Sequence, residues 1–145
     1  MTMLKDKTIL IMGLARFDGA FESTSFTTAK FLAQENLVYY IDYPYSFKDY
    51  LKGKETDSYK IREKAFSSSA NSLLESGISN LKILILPLLL SINFVPESFL
   101  YRLLLKWNER LIVNRIKKMI KNQNITDFVF INSFNFSTSP STHAR

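Results

Sequence analysis

The sequence predicts an α/β fold, a parallel sheet of about four strands joined by helical crossovers. Three observations predict it. The run "KTILIMGL", Lys7 to Leu14, is continuously apolar at its centre, as a strand covered on both faces requires. A helix-spaced segment separates it from "LVYYIDYP", Leu37 to Pro44, a second run rich in aromatic and branched residues. A long amphipathic stretch, 96–122, then leads into another apolar run, Ile125 to Phe134.

Each element has a local reason. Ser23, Thr24 and Ser25 can supply the N-cap of the first helix. Phe26, Ala29, Lys30 and Ala33 repeat at helical spacing, and Asn36 is placed to close it. The second strand ends at Asp42 and is stopped by Pro44, so residues 8–44 form a βαβ unit. The polar stretch 45–77, with scattered aromatics and serines at 67–69, reads as a long excursion holding short helical pieces. "LKILILP", Leu81 to Pro87, is a third strand. In the strongest helix, Pro96 and Glu97 fit the first turn. Leu100, Leu104, Trp107 and Leu111 form one row, and Leu105, Ile112, Ile116 and Met119 another. Ile125 to Phe134 is the fourth strand, with Ile9–Met12 and Val129–Ile131 expected to be buried, and residues 136–145 read as an unstructured tail. The count describes a Rossmann-like half-sheet.

Composition narrows the chemistry. The 145 residues suit one domain, and 46% hydrophobic with 22% charged residues is a globular balance. With no cysteine, disulfides, thiolate metal sites and cysteine nucleophiles are excluded. His143 is the sole histidine and lies in the tail, which argues against a Ser-His-Asp triad and a His-Glu zinc site. No metal site and no cofactor is expected. "GLARFDG" lacks the dinucleotide spacing, and no Walker-type "GK[ST]" occurs. The N-terminal apolar run suits a buried strand better than a secretion signal. Ile83 to Pro96 is too short, and too interrupted by Pro87, Ser91 and Asn93, to span a bilayer.

The net charge of +6 is concentrated. Residues 97–123 carry seven Lys/Arg against Glu97 and Glu109, an excess of +5. Such a segment suits an anionic surface. One reading is a crossover helix with solvated lysines and Trp107 buried on the sheet. The other is a helix lying on an anionic membrane, with Arg102, Lys106, Arg110 and Lys117 at the headgroups. No aromatic-basic RNA motif occurs, so nucleic acid is not an expected partner.

Ligands in open α/β sheets bind beyond the carboxyl ends of the strands. That rule selects residues 13–24, 42–49 and 132–135. Arg16 offers a forked cation for phosphate or carboxylate. Asp18 and Glu22 can accept from sugar hydroxyls, and Phe17, Phe21, Tyr43 and Tyr45 can stack on a sugar or headgroup. The alternative is that Arg16 pairs with Asp18 or Asp42 and orders the loop.

These residues together resemble a known family. The stretch from Ile9 to Tyr50, with its "RFDG" loop, Ser/Thr-capped helix and strand ending in "D-x-P", is similar to the start of bacterial GT-B glycosyltransferases of the family 1/family 4 type, Bacteroidetes-like. "NFVPESFLYRLLLKWN" and "FVFINSFN" resemble later parts of the same N-terminal domain. The resemblance implies two Rossmann-like domains facing a cleft. The N-terminal one binds the acceptor and the C-terminal one binds the nucleotide-sugar. Residues 1–135 would be the acceptor domain of a truncated chain, the nucleotide-sugar domain being absent and the chain inactive alone. Gly13, Arg16, Asp18 and Gly19 would line the cleft, with Asp42 and Asn132 at neighbouring strand ends. The implied partners of the intact enzyme are a nucleotide-sugar and a glycan or lipid-linked acceptor of the cell envelope. The implied location is the cytoplasm, peripheral to the inner face of the plasma membrane. No catalytic residue emerges from the sequence. The rival expectation is a non-catalytic module that docks to a membrane or partner through helix 97–122.

Overall fold

In the computed structural model, which describes residues 4–133, the chain folds in the order β1 (Thr8–Met12), α1 (Thr24–Leu32), β2 (Leu37–Ile41), α2 (Phe47–Gly53), α3 (Asp57–Ser67), β3 (Leu73–Glu75), β4 (Leu81–Leu84), α4 (Phe99–Asn122) and β5 (Val129–Asn132). The sheet order is β3-β4-β2-β1-β5. Four strands are parallel, as expected. The fifth, β3, was not expected: it pairs antiparallel to β4, Leu73 opposite Leu84, so the sheet is mixed. Its three residues follow a serine-rich stretch and carry no strand signature of their own. The turn back to β4 uses left-handed backbone at Gly77 (φ 78°) and Asn80 (φ 60°), which these two residue types adopt at little cost.

The side-chain period of two splits the strands between two cores. Ile9, Ile11, Val38, Tyr40, Leu81 and Ile83 face α1 and α3. Leu10, Tyr39, Ile41 and Leu84 face α4 through Ile112 and Met119. The chain steps outward from β1 to β2 to β4, then returns past β1 to β5. A right-handed crossover after that reversal places α4 on the opposite face from α1 and α3. Each fully buried Ile, Leu or Val here contributes about 1.5–3 kcal/mol.

Several local expectations change. Ser23 does cap α1, its hydroxyl accepting from the Phe26 N–H. The helix closes at Ala33, not Asn36. Asn36 is buried instead, accepting from the Lys7 N–H and donating to the Leu4 and Leu32 carbonyls. In α4 the cap is Ser98, so Pro96 and Glu97 precede the helix and do not form its first turn. Trp107 is 54% exposed rather than buried, because α4 meets the sheet through Asn108, Ile112, Arg115 and Met119. Ile9 to Ile11 are fully buried and Met12 is half-buried, but β5 is an edge strand, with Val129 and Ile131 half-buried and Phe130 exposed. The tail 136–145, with Phe134, Asn135 and His143, lies outside the described residues. Among the described residues no helix is long and apolar enough to cross a membrane.

Candidate functional site

The loop after β1 is long because it reaches across the sheet end and is fastened there. The Leu14 N–H donates to Ser25 Oγ at 3.0 Å, the Tyr40 hydroxyl donates to the Ala15 carbonyl at 2.7 Å, and the Phe17 N–H donates to Asp42 Oδ1 at 2.8 Å. Gly13 is needed at the start of this loop because an added Cβ would overlap the Tyr40 ring. Its role here is packing under the loop.

Asp18 closes the far end of the loop on Arg62 of α3. Arg62 is fully buried, and its guanidinium donates to Asp18 Oδ1 and Oδ2 at 2.6 and 2.8 Å and to Asp42 Oδ2 at 2.9 Å. It also donates to the carbonyl and hydroxyl of Ser58. Burial pushes the Asp18 carboxyl up, but the hydrogen bonds and charge of Arg62 outweigh it and hold the group below its ordinary value. At Asp42 burial wins over the same guanidinium, and the carboxyl is raised. The two acids bridged by one cation tie the β1 loop, the end of β2 and α3 together. Arg62 was invisible in the charged segment "DSYKIREK", although Tyr59, Arg62 and Phe66 do share the helical spacing of a buried face.

Arg16 pairs with neither Asp18 nor Asp42, since Arg62 occupies both. Its guanidinium stacks 3.6 Å over the Tyr45 ring centroid and, among the described residues, makes one ion pair, Nη2 to Asp49 Oδ2 at 3.3 Å. Asp49 is held by the capping box of α2, accepting from the Ser46 N–H at 2.9 Å. Burial pushes the Asp49 carboxyl up, and the Ser46 hydrogen bonds, with the charges of Arg16 and Lys52, bring it below its ordinary value.

Two cavities open here, at the carboxyl edge of the sheet. The smaller, of about 340 Å³, is lined by Arg16, Asp18, Gly19, Tyr45, Asp49 and Ser58 among others. The larger is a cleft of about 980 Å³ between the β2–α2 connection, the β4–α4 connection and α4. Its floor is a continuation of the sheet: Ser46 and Leu89 form one more parallel bridge, with the Leu89 N–H donating to the Tyr45 carbonyl at 2.9 Å. Its α4 wall is anchored by Asn108, whose amide exchanges two 2.9 Å hydrogen bonds with the backbone of Leu90. Tyr43, Tyr45 and Tyr101 give this cleft aromatic surface, and Arg16, Asp49 and Asn108 give it polar surface.

The structure therefore gathers Arg16, Asp18, Gly19 and Asp42 at one corner. Asp42 is 2% exposed and held by Arg62 and Phe17. Asn132 pairs in register with Met12 at the end of β5 and lines neither cavity. The four basic residues Arg102, Lys106, Arg110 and Lys117 are all exposed on α4. Among the described residues no group of three His, Cys, Asp or Glu could hold a metal ion. No protein-family model, no curated protein and no solved structure matches the chain.

Proposed function

We propose that this chain is the acceptor-binding half of a glycosyltransferase, and that the larger cleft holds the sugar acceptor. The observation that carries the reading is the chemistry of that cleft. Tyr43 and Tyr101 offer apolar ring faces to the C–H face of a pyranose, while Tyr45 lies beneath Arg16. Asp49 offers a carboxylate to its hydroxyls, beside Arg16. The position, beyond the carboxyl ends of β2 and β4, is where open α/β sheets bind ligands. The β1 loop lacks the glycine spacing of a pyrophosphate cradle, which favours an acceptor over a dinucleotide. In the intact enzyme the cleft would present an acceptor hydroxyl to C1 of the nucleotide-sugar, at the cytoplasmic face of the plasma membrane. Saturation-transfer NMR with neutral and anionic mono- and oligosaccharides tests it. Transfer from the tyrosines to the glycan, lost in Tyr101→Ala, is expected; no transfer from any sugar overturns it.

A second reading is favoured by a separate observation. Phe99 (83% exposed), Leu103 and Trp107 (54% each) lie on the outer side of α4 beside Lys106, Arg110 and Lys117. An apolar strip flanked by cations is what a helix resting on an anionic leaflet presents. This face and the cleft-lining residues Tyr101, Leu105, Asn108 and Ile112 fall on different sides of the helix, so membrane contact and acceptor binding are compatible.

A further inference from the structure

The two arginines at this corner differ in one respect that points to a ligand. Arg62 is fully buried and its donors are matched by Asp18, Asp42 and Ser58 at 2.6–2.9 Å. Arg16 has a single acceptor among the described residues, Asp49 Oδ2, at the long distance of 3.3 Å. That oxygen already accepts from the Ser46 N–H at 2.9 Å and the Ser46 hydroxyl at 3.0 Å. The pair is open to solvent, the Arg16 and Asp49 side chains being 30% and 44% exposed. Among the described residues Arg16 Nε is buried with no hydrogen-bond partner. A buried donor left without an acceptor is costly, so this guanidinium gains from any movement that gives Nε one.

The surroundings define that acceptor. Arg16, Tyr45, Asp49 and Lys52 line both cavities, so the Arg16–Asp49 pair borders each of them. Tyr45, itself buried, fixes the plane of the guanidinium by stacking. Lys52 adds a second cation on both sides and Lys48 a third on the cleft side. Asp18 also lines the smaller cavity, but its charge is offset by Arg62.

We propose that Arg16 is an anion-binding residue: it leaves Asp49 and grips a phosphate or carboxylate group in the cleft through Nε and one Nη, with Lys52 as the second cation. A bidentate contact to an oxyanion satisfies the orphaned Nε and replaces a long, shared ion pair with two short charge-assisted bonds. The inference rests on the acceptor reading and deepens it, since it makes the acceptor an anionic one.

The test is an NMR titration of the full chain, following the Nε–Hε signal of Arg16, with glucose 1-phosphate, glucuronate, soluble dihexanoyl phosphatidic acid and neutral glucose. Both phosphates or the carboxylate should move the Arg16 signal. Arg16→Gln should weaken anion binding at least about tenfold, as loss of a bidentate charge-assisted contact does. Asp49→Asn, which keeps a capping side chain and releases Arg16, should tighten binding several-fold, a gain that a merely structural role for Arg16 does not produce. A shift by the lipid phosphate alone identifies a lipid-borne anion, and a shift by glucose 1-phosphate or glucuronate a soluble one. An unmoved Arg16 signal, or unchanged anion affinity in Arg16→Gln, overturns the inference. Neutral sugar bound with no preference for anions leaves the acceptor reading and removes this one. Anions bound at Arg16 with no contribution from the sugar ring do the reverse.

Discussion

Arg62 Nη2 lies 2.6 Å from Asp18 Oδ1, a contact that joins a loop after the first strand to a helix forty-four residues later. Asp42, whose Oδ2 is 2.8 Å from the same nitrogen, makes the pair a triad. The triad decides where the β1 loop can sit, and therefore where Arg16 and Gly19 stand beside the cavities.

Removing Arg62 leaves two carboxylates facing each other with no cation. Arg62→Met should cost about 3–5 kcal/mol at neutral pH, the usual penalty for an uncompensated buried charge. Urea unfolding measures it, and a loss below 1 kcal/mol would contradict the assigned role.

The same variant carries a pH signature. In the native protein the lowered Asp18 contributes stability that is present above the ordinary aspartate value, about 3.9, and is lost as pH falls through its folded value. The raised Asp42 acts oppositely, costing stability at neutral pH and less as pH falls. Without Arg62 both carboxyls rise, so the folded state binds protons that the unfolded state does not. The deficit of Arg62→Met relative to the native chain should shrink between about pH 7 and pH 5. A deficit that is constant or grows over that interval contradicts the triad.

Gly13 and Gly19 should respond differently to alanine. At Gly13 a Cβ overlaps the Tyr40 ring, which is fully buried and hydrogen-bonded to Ala15 and Ser25. Gly13→Ala should destabilise by about 1–3 kcal/mol, the range for overpacking a core. At Gly19 the nearest atom is the Arg16 carbonyl oxygen at 3.3 Å, in an exposed turn that a small shift relieves. Thermal unfolding of the two variants should rank them in that order.

Arg115 donates to the carbonyls of Ala65, Phe66 and Ile85, joining the end of α3 to the end of β4 through α4. Arg115→Leu leaves three carbonyls without a donor. It should cost about 2–4 kcal/mol, since each hydrogen bond to a charged group is worth about 1.5–3 kcal/mol and its loss is partly relieved by water. Hydrogen exchange should accelerate in α3 before it does in β1 and β2.

Trp107 is the sole tryptophan, so its fluorescence reports on α4 alone. Half-exposed in the free protein, it should emit as a hydrated indole and shift to the blue when anionic vesicles, but not neutral ones, are added. Each cation near the leaflet contributes about 1 kcal/mol, enough for reversible adsorption. At about 1 M salt the screening length falls to about 3 Å and the shift should vanish. Lys106→Glu with Arg110→Glu should abolish it with unchanged circular dichroism. Adsorption that survives the double reversal excludes this face.

Short-range physics made much of the fold legible. Continuous apolar runs identified β1, β2, β4 and the β5 region, and Ser23 marked the start of α1, because strand burial and helix capping depend on neighbours in sequence. The long helix was legible from its period, and its charge excess from counting. Tertiary structure alone decided the rest. The strand β3 exists because β4 offers an edge to pair with, a property of the partner and not of "LLE" itself. Which row of α4 faces the sheet was settled by the two buried polar residues Asn108 and Arg115, whose carbonyl partners lie in other elements. Arg62 reads as one more solvated charge in "YKIREK" until the loop and β2 bring it Asp18 and Asp42. That assignment in turn left Arg16 to Asp49 alone, at 3.3 Å, as an acceptor among the described residues. A buried charge is tolerated only where opposite charges converge on it, and convergence over twenty and forty-four residues is a fact of three-dimensional packing.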